Sequence, residues 1–256
     1  MNLKIAGFLS LLVLAAALVV GANAWKASLT VKQITVDGNR IVGTNEILQL
    51  TQLPRGTLLY RVDLMTIQRK VMGHYYIKDA LVERNLPSTI RISVIERIPI
   101  AMTEQSDALY LDEEGFVLPR TISRKLFDLP MISGIPEHAP LKLGSIVAQP
   151  DLKEALLLLG VMKEVNRPLY HNISEVNIRG GGDIVLFSAE GGVPIIFGRG
   201  NIAGKLANLE AFWNDVVRVR GPQNLQYIDL RYQDQIVVRW NLQALAKTPA
   251  DVNHHT

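Results

Sequence analysis

The longest feature in the hydrophobic pattern stands at the start of the chain. No charged residue occurs between Ile5 and Trp25, and the run IAGFLSLLVLAAALVVGANA is 20 residues of apolar or small side chains. A helix rises about 1.5 Å per residue, so this run is long enough to cross a hydrocarbon core about 30 Å thick. Ala22, Asn23 and Ala24 also form an A-x-A sequence of the kind that ends a cleaved signal peptide. The apolar stretch exceeds the roughly 7 to 15 residues of a signal core, which favours a retained anchor over residues 5–25. So little chain precedes it that residues 1–4 are expected in the cytoplasm and the rest across the membrane, because long domains translocate largely regardless of flanking charge.

After Leu29 the pattern changes to short alternating and helical stretches. In VKQITVDG, Ile34 and Val36 share one face of a strand that Gly38 and Asn39 end. Thr44 is placed to cap a helix carrying Ile47, Leu48 and Leu50, and Asp63 a second carrying Leu64, Ile67 and Val71. YIKDALVERNLPSTIRISVIERIP then gives two strands, the second alternating Ile90, Ile92 and Val94 with polar positions. The unit predicted over 29–101 is β-α-α-β-β.

Residues 102–240 read as a second domain, mostly strand. Pro150 opens a helix whose buried side is Leu152, Ala155, Leu156 and Leu159. Strands are expected over 173–178, 184–188 and 193–197, with turns at Gly180 to Asp183 and Glu190 to Gly192. Ile202, Leu206, Leu209, Trp213 and Val216 form a helical stripe that Gly221 and Pro222 end, and two strands follow. Residues 241–256 turn polar and alanine-rich and read as a disordered tail. The fold class is α+β: a transmembrane helix, a small α/β unit and a mostly antiparallel β domain with two or more helices.

Composition narrows the function classes. Lys plus Arg number 27 against 24 Asp plus Glu, spread along the chain, so no nucleic-acid footprint is present. The absence of cysteine excludes a disulfide framework and a thiolate metal site. Gly198, Gly200 and Gly204 lie between a strand and a helix, but their spacing is one residue too long for a dinucleotide fingerprint, and Arg218 and Arg220 stand where the acid belongs. His74, His138 and His171 have no ligand-spaced neighbours, and His254 with His255 fall in the tail. Asp112, Glu113 and Glu114 beside Gly115 read as a solvated hairpin turn, not a paired-carboxylate site. Neither catalytic residues, a cofactor site nor a metal site is assigned. What the pattern offers is an edge: QIVVRW is the last strand of the last sheet, with Ile236, Val238 and Trp240 on one face and Val237 and Arg239 on the other.

The segment around YIKDALVERNLPSTIRISVIERIPIA resembles a POTRA domain of the FtsQ/DivIB cell-division family. ALYLDEEGFVLP is similar to the hairpin that follows it there, GVPIIFGRGNIAGKLANLEAF to a strand-to-helix junction, and LQYIDLRYQDQIVVRW to the last two strands. These stretches occur in the family's order behind an anchor. The resemblance implies a divisome scaffold of the bacterial inner membrane that gathers FtsB/FtsL-type coiled-coil partners at the septum and helps coordinate septal wall synthesis. It implies no cofactor. It places the strand-receiving surface at Tyr232, Ile236, Val238 and Trp240, and a weaker recruitment surface at Val82 and Arg84. Two other readings are another POTRA-bearing envelope assembly or secretion factor, for which the sequence lacks a barrel or further repeats, and a secreted periplasmic enzyme, for which it lacks an assembled site.

The anchor reading has a direct check. Fractionation should recover the full-length chain, beginning at Met1, in the membrane pellet; a soluble periplasmic form beginning at Trp25 contradicts it.

Overall fold

The computed structural model describes residues 3–54, 56–104, 109–120, 127–136, 140–178, 182–233 and 235–241. The tail expected over 241–256, His138, His254, His255 and the first half of the turn expected at Gly180 to Asp183 lie outside them, although Asn241, Gly182 and Asp183 are described. The chain divides into two compact units, Met1–Arg97 and Ile98–Thr256. Helix α1 (Leu3–Ser28) contains, in Gly7–Ser28, a segment of mean hydropathy 2.1 with no buried residues, long and apolar enough to cross a membrane.

In the first unit, β1 (Gln33–Asp37) leads to α2 (Thr44–Thr51), a 3-10 turn (Leu59–Arg61), α3 (Leu64–Met72), and a hairpin of β2 (Ile77–Asn85) and β3 (Thr89–Glu96). The strand order is β1-β3-β2, with β1 parallel and β2 antiparallel to β3. Period-two burial on β3 puts Ile90, Ile92 and Val94 into the core, where Ile47, Ile67 and Val71 from the helices meet the same apolar interior. Asp63 caps α3 by accepting from the Thr66 N–H at 3.1 Å. The cap expected at Thr44 is displaced. Gly43 occupies that position, and the Thr44 hydroxyl instead accepts from the Asn39 amide at 3.1 Å.

Glu96, the last residue of β3, holds the segment that enters α2. Its carboxylate accepts 2.8 Å hydrogen bonds from three successive backbone N–H groups, those of Arg40, Ile41 and Val42. A run of donors converging on one anion is a strong local tie between residues far apart in sequence. Gly38 permits the approach: at φ +89° a Cβ there would lie 2.2 Å from the Val94 carbonyl oxygen.

The second unit runs β4 (Pro99–Thr103), β5 (Tyr110–Asp112), β6 (Val117–Leu118), β7 (Met131–Ser133), α4 (Pro150–Val165), α5 (Arg167–His171), β8 (Ile173–Ile178), β9 (Ile184–Ser188) and β10 (Pro194–Gly198). Then come α6 (Ile202–Phe212), which continues through a π-helical turn at Trp213–Val217 and a last turn Arg218–Arg220, and strands β11 (Leu225–Asp229) and β12 (Val237–Trp240). The described strands form one nine-stranded sheet in the order β12-β11-β10-β9-β8-β7-β4-β5-β6. The sheet is mixed: β4–β7, β7–β8 and β10–β11 are parallel, and the other neighbours are antiparallel. Ala101, expected as the end of the first domain, falls inside β4. Helix α4 buries Leu152, Ala155, Leu156 and Leu159 as the pattern predicts, with Leu158 and Met162 in addition.

Two local expectations change. Asp112 is not solvated; it is buried, and its carboxylate accepts from the N–H groups of Glu114 at 3.0 Å and Phe116 at 2.8 Å, so it builds the hairpin turn. The stripe on α6 ends on Val217 in the core, with Val216 only half-buried. The π turn has an i→i+5 bond and rotates the following residues round the axis.

Replacing Glu96 with Ala would leave three converging donors without their acceptor, at a cost of about 1–3 kcal/mol. Amide exchange at Arg40, Ile41 and Val42 should quicken about tenfold or more in Glu96→Ala, with Glu96→Gln in between. Unchanged exchange there would show that the tie does not hold the segment.

Candidate functional site

Strand β12 pairs with β11 and with no other strand among the described residues. One row of its backbone groups therefore faces away from the sheet. The Asn241 N–H donates inward to the Asn224 carbonyl at 2.8 Å, and alternate residues of an antiparallel strand point their backbone groups to opposite sides. Val237 and Arg239 thus share the inward direction of Asn241, and Val238 and Trp240 turn their N–H and C=O groups outward. The bulge in this pairing lies between Leu225 and Tyr227, on β11, and leaves the alternation along β12 intact.

The side chains alternate across the faces as the sequence predicts. Ile236, Val238 and Trp240 are half-buried and pack on the main core, while Val237 and Arg239 are exposed. The Arg220 guanidinium lies 5.4 Å from the centroid of the Trp240 ring and covers part of it. Tyr232 is 54% exposed, in the connection between β11 and β12. It lines a groove of about 490 Å³ together with Arg199, Lys205, Arg231, Gln233 and Gln235. A second groove of about 300 Å³ runs between α6 and the start of β12, with Phe212, Val216 and Ile236 as its apolar lining. Tyr232 and β12 are thus brought to one end of the sheet, with a polar groove and an apolar one beside them.

A charged clamp holds this end. Arg231 donates from Nε and Nη2 to the two oxygens of Asp229, at 3.0 and 2.6 Å, and from Nη1 to Asp183 at 2.9 Å. Its backbone N–H also donates to Asp229, at 3.0 Å. Asp229 is buried, and the Arg231 side chain in first place holds its carboxyl below the ordinary aspartate value of 3.8. Gly198 makes the room, since a Cβ there would stand 2.7 Å from Cγ of Arg231 and its φ is +68°. Of the three glycines in this stretch, Gly198 is the one that serves the clamp. Lys205 closes the same turn from α6, donating to the carbonyls of Phe197 at 2.9 Å and Arg199 at 2.8 Å, and burial lowers its pKa. Arg199 ties the turn to the start of α4 through Asp151 at 2.8 Å and Glu154 at 2.5 Å. Sequence reading missed this network, because apart from Asp229 and Arg231, 2 positions apart, its ion-pair partners are 45 and 48 positions apart; the one local signal is the D-x-R of Asp229 and Arg231.

The second expected surface has a different make-up. Val82 on β2 is buried among the core residues of the first unit. Arg84 donates to the carbonyls of Leu59 at 3.0 Å and Val62 at 2.6 Å and lies 5.8 Å from the Tyr60 ring centroid, so it holds the 3-10 turn. On the opposite face of β2, Leu81 and Glu83 are exposed. Among the described residues no group of three or more His, Cys, Asp or Glu side chains is arranged to hold a metal ion.

Comparison with known proteins gives two family matches. Residues 29–97 match the FtsQ-type POTRA domain, and residues 101–231 match the C-terminal region of cell division protein FtsQ/DivIB. Tyr232 and β12 stand just beyond the second match. Similar curated proteins are the cell division protein FtsQ of Geobacter sp. (strain M21), 30% identical over 211 residues that cover 82% of this chain and 76% of that one, and its namesake from Syntrophotalea carbinolica, 30% identical over 209 residues covering 82% and 73%. The FtsQ of Salinibacter ruber is 28% identical over 228 residues, 84% of each chain.

The clamp makes this end of the sheet acid-sensitive in a definite sense. A carboxyl whose folded pKa is depressed contributes stability that is present above its unfolded value and lost as pH falls through the folded one. Amide protection along β11 and β12 should therefore be flat at neutral and mildly acid pH and decline below about 3.8. Asp229→Asn should start from lower protection at pH 7 and lose the Asp229 share of that acid dependence; a variant with the wild-type profile would remove Asp229 from the account.

Proposed function

The chain belongs to the FtsQ/DivIB family of bacterial cell-division proteins, whose members are scaffolds and not enzymes, and on that premise we propose that its β12 edge receives a strand from an FtsB/FtsL-type coiled-coil partner at the septum. In this reading α1 anchors the protein in the cytoplasmic membrane with its N-terminus inside. Both units then stand in the extracytoplasmic space, and the assembled complex helps coordinate septal wall synthesis. The observation that carries the reading is the open edge itself: Val238 and Trp240 direct outward backbone groups that no strand among the described residues pairs, from a sheet whose next strand, β11, is held by the Arg231 clamp. Strand addition uses main-chain hydrogen bonds for affinity and side-chain pockets for specificity.

Tyr232 and Trp240 would anchor the two ends of the added strand, with Ile236 and Val238 supporting the edge from the core side. The grooves at Arg231 and Phe212 give the partner's flanking residues a polar and an apolar seat. The weaker recruitment surface on β2 is proposed as a backbone edge, with Val82 and Arg84 as its internal supports and Leu81 and Glu83 as the groups presented. The match over 101–231 favours this reading over another POTRA-bearing envelope factor.

Truncating an interface aromatic costs about 2 kcal/mol or more, roughly a 30-fold loss of affinity. Tyr232→Ala and Trp240→Ala should each weaken capture of an FtsB-type partner by the full chain in detergent micelles, with little change in thermal unfolding for the exposed Tyr232. Val238→Pro should abolish capture by removing an outward donor, whereas Val237→Pro should also lower the unfolding temperature by breaking an inward bond to β11. Wild-type affinity in both alanine variants would move the partner to another surface.

A further inference from the structure

The join between α1 and the rest of the first unit is structured. Leu29 follows α1 directly, and its carbonyl accepts from the Leu59 N–H at 2.8 Å. Thr30 forms an antiparallel bridge with Leu58, and the Val31 N–H donates to the Thr57 carbonyl at 2.9 Å. The Lys32 N–H donates to the Ser88 carbonyl at 2.8 Å, which brings the tip of the β2–β3 hairpin to the same end. Three segments far apart in sequence therefore converge where the apolar helix leaves off: the approach to β1, the 3-10 turn at Leu59–Arg61, and the hairpin tip at Leu86.

Helix geometry sets the depth of this end. The 20 residues from Ile5 to Ala24 rise about 30 Å, the thickness of a hydrocarbon core. Ser28, the last residue of α1, stands about 6 Å further along the axis, and the headgroup layer on each side of a bilayer is about 5–7 Å deep. The segments paired with Leu29, Thr30 and Val31 thus reach the level of the headgroups.

The side chains suit that layer. Trp25 is 54% exposed, Tyr60 43% and Leu86 52%, and amphipathic rings of this kind collect at membrane interfaces. The Arg84 guanidinium, fixed on the Leu59 and Val62 carbonyls, lies 5.8 Å from the Tyr60 ring centroid and holds the ring at this end. Lys26, Lys32 and Arg61 are exposed, and residues 25–33, 57–62 and 84–90 contain neither Asp nor Glu. The nearest acids are engaged: Asp63 caps α3 through Thr66, and Glu83 stands opposite Arg91 in the β2–β3 ladder. The other acids of this sheet, Asp37, Asp79 and Glu96, lie toward its far end, because β1 and β3 run parallel away from α1 and β2 returns. A chain almost balanced in charge, 27 basic against 24 acidic residues, is therefore one-signed here.

We propose that this end of the first unit is a membrane-contact collar, with Lys26, Lys32 and Arg61 on the phosphates of anionic lipid headgroups and Trp25, Tyr60 and Leu86 at the apolar boundary beneath them. The inference rests on the reading of α1 as a membrane span and is independent of the partner assigned to β12. Its consequence is a fixed tilt of the first unit on the bilayer, since contacts from three segments restrain a body that α1 alone would leave free to swing.

The chain has no cysteine, so single-cysteine probes report one place each. The full chain is reconstituted in vesicles of phosphatidylcholine alone or with about 30% phosphatidylglycerol, with a quencher on the lipid headgroups. A fluorophore at Asn85→Cys, beside Leu86, should be quenched strongly in the anionic vesicles and weakly in the neutral ones. One at Asp37→Cys, about 13 Å further out along β1, should be spared in both. Lys26→Gln, Lys32→Gln and Arg61→Gln together, all at exposed positions, should lower the ratio of docked to undocked protein about 100-fold in anionic vesicles, about fivefold for each charge. High salt should act in the same direction. Flotation with the vesicles reports on the span separately. A chain that floats while its Asn85 probe stays unquenched would overturn the collar alone and leave this end to a neighbouring protein, whereas a chain that does not float would overturn span and collar together. Equal quenching in the two lipid mixtures, or quenching unchanged in the triple variant, would overturn the anionic-headgroup assignment.

Discussion

A hydrogen-bonded sheet has to end, and the second unit depends on how it ends. Its ladder runs without interruption from β6 to β12, through two helical connections that let parallel strands lie side by side. Each interior strand has a paired neighbour on both sides; among the described residues the two end strands, β6 and β12, have one. An edge of this kind is a hazard unless it is blunted or used. Here it is short, and its exposed face carries Arg239 beside Val237, while the half-buried face locks Ile236, Val238 and Trp240 onto the core. The edge is open to a strand yet held in one position.

That fixed position comes from electrostatics at the turn and not from β12 itself. A strand of four residues, of which Val238 and Trp240 alone are half-buried, provides little area of its own. The Arg231 clamp joins β11 to the loop before β9, while Lys205 and Arg199 lock the turn after β10 to α6 and α4. Asp229 is buried and Arg199, Asp151 and Glu154 are half-buried, where such bonds are stronger than on an open surface, whereas the Arg231–Asp183 pair reaches solvent and contributes less. A scaffold that captures a strand gains from this preorganisation, because ordering the edge at the moment of binding would subtract from affinity.

Much of this was legible in the sequence, and the remainder has identifiable physical reasons. Period-two alternation gave the faces of β12 and β3, and the helical stripe gave the buried side of α4. The three-residue β7 is too short to carry a period, and its parallel partners β4 and β8 lie far away in the chain, so a local reading made the sheet more antiparallel than it is. The stripe on α6 misassigned Val216 because an unbroken helix was assumed across a π turn. Asp112 looked like turn surface because its role, accepting two backbone N–H groups inside the hairpin, is set by burial and not by residue type. At the site, the resemblance supplied Tyr232 and Trp240, whereas the clamp that positions them emerged only from the fold. Val82 and Arg84 drew notice by resemblance too, and both are engaged within their own unit.

The central claim is that a partner strand completes the ladder at β12. The most direct measurement is residue-resolved amide exchange of the full chain with and without a coiled-coil partner of the FtsB type. Strand addition predicts that the outward amides of Val238 and Trp240 become strongly protected on binding, while the inward amides of Val237 and Arg239 change little. Tight binding that leaves Val238 and Trp240 exchanging as in the unbound protein would contradict it.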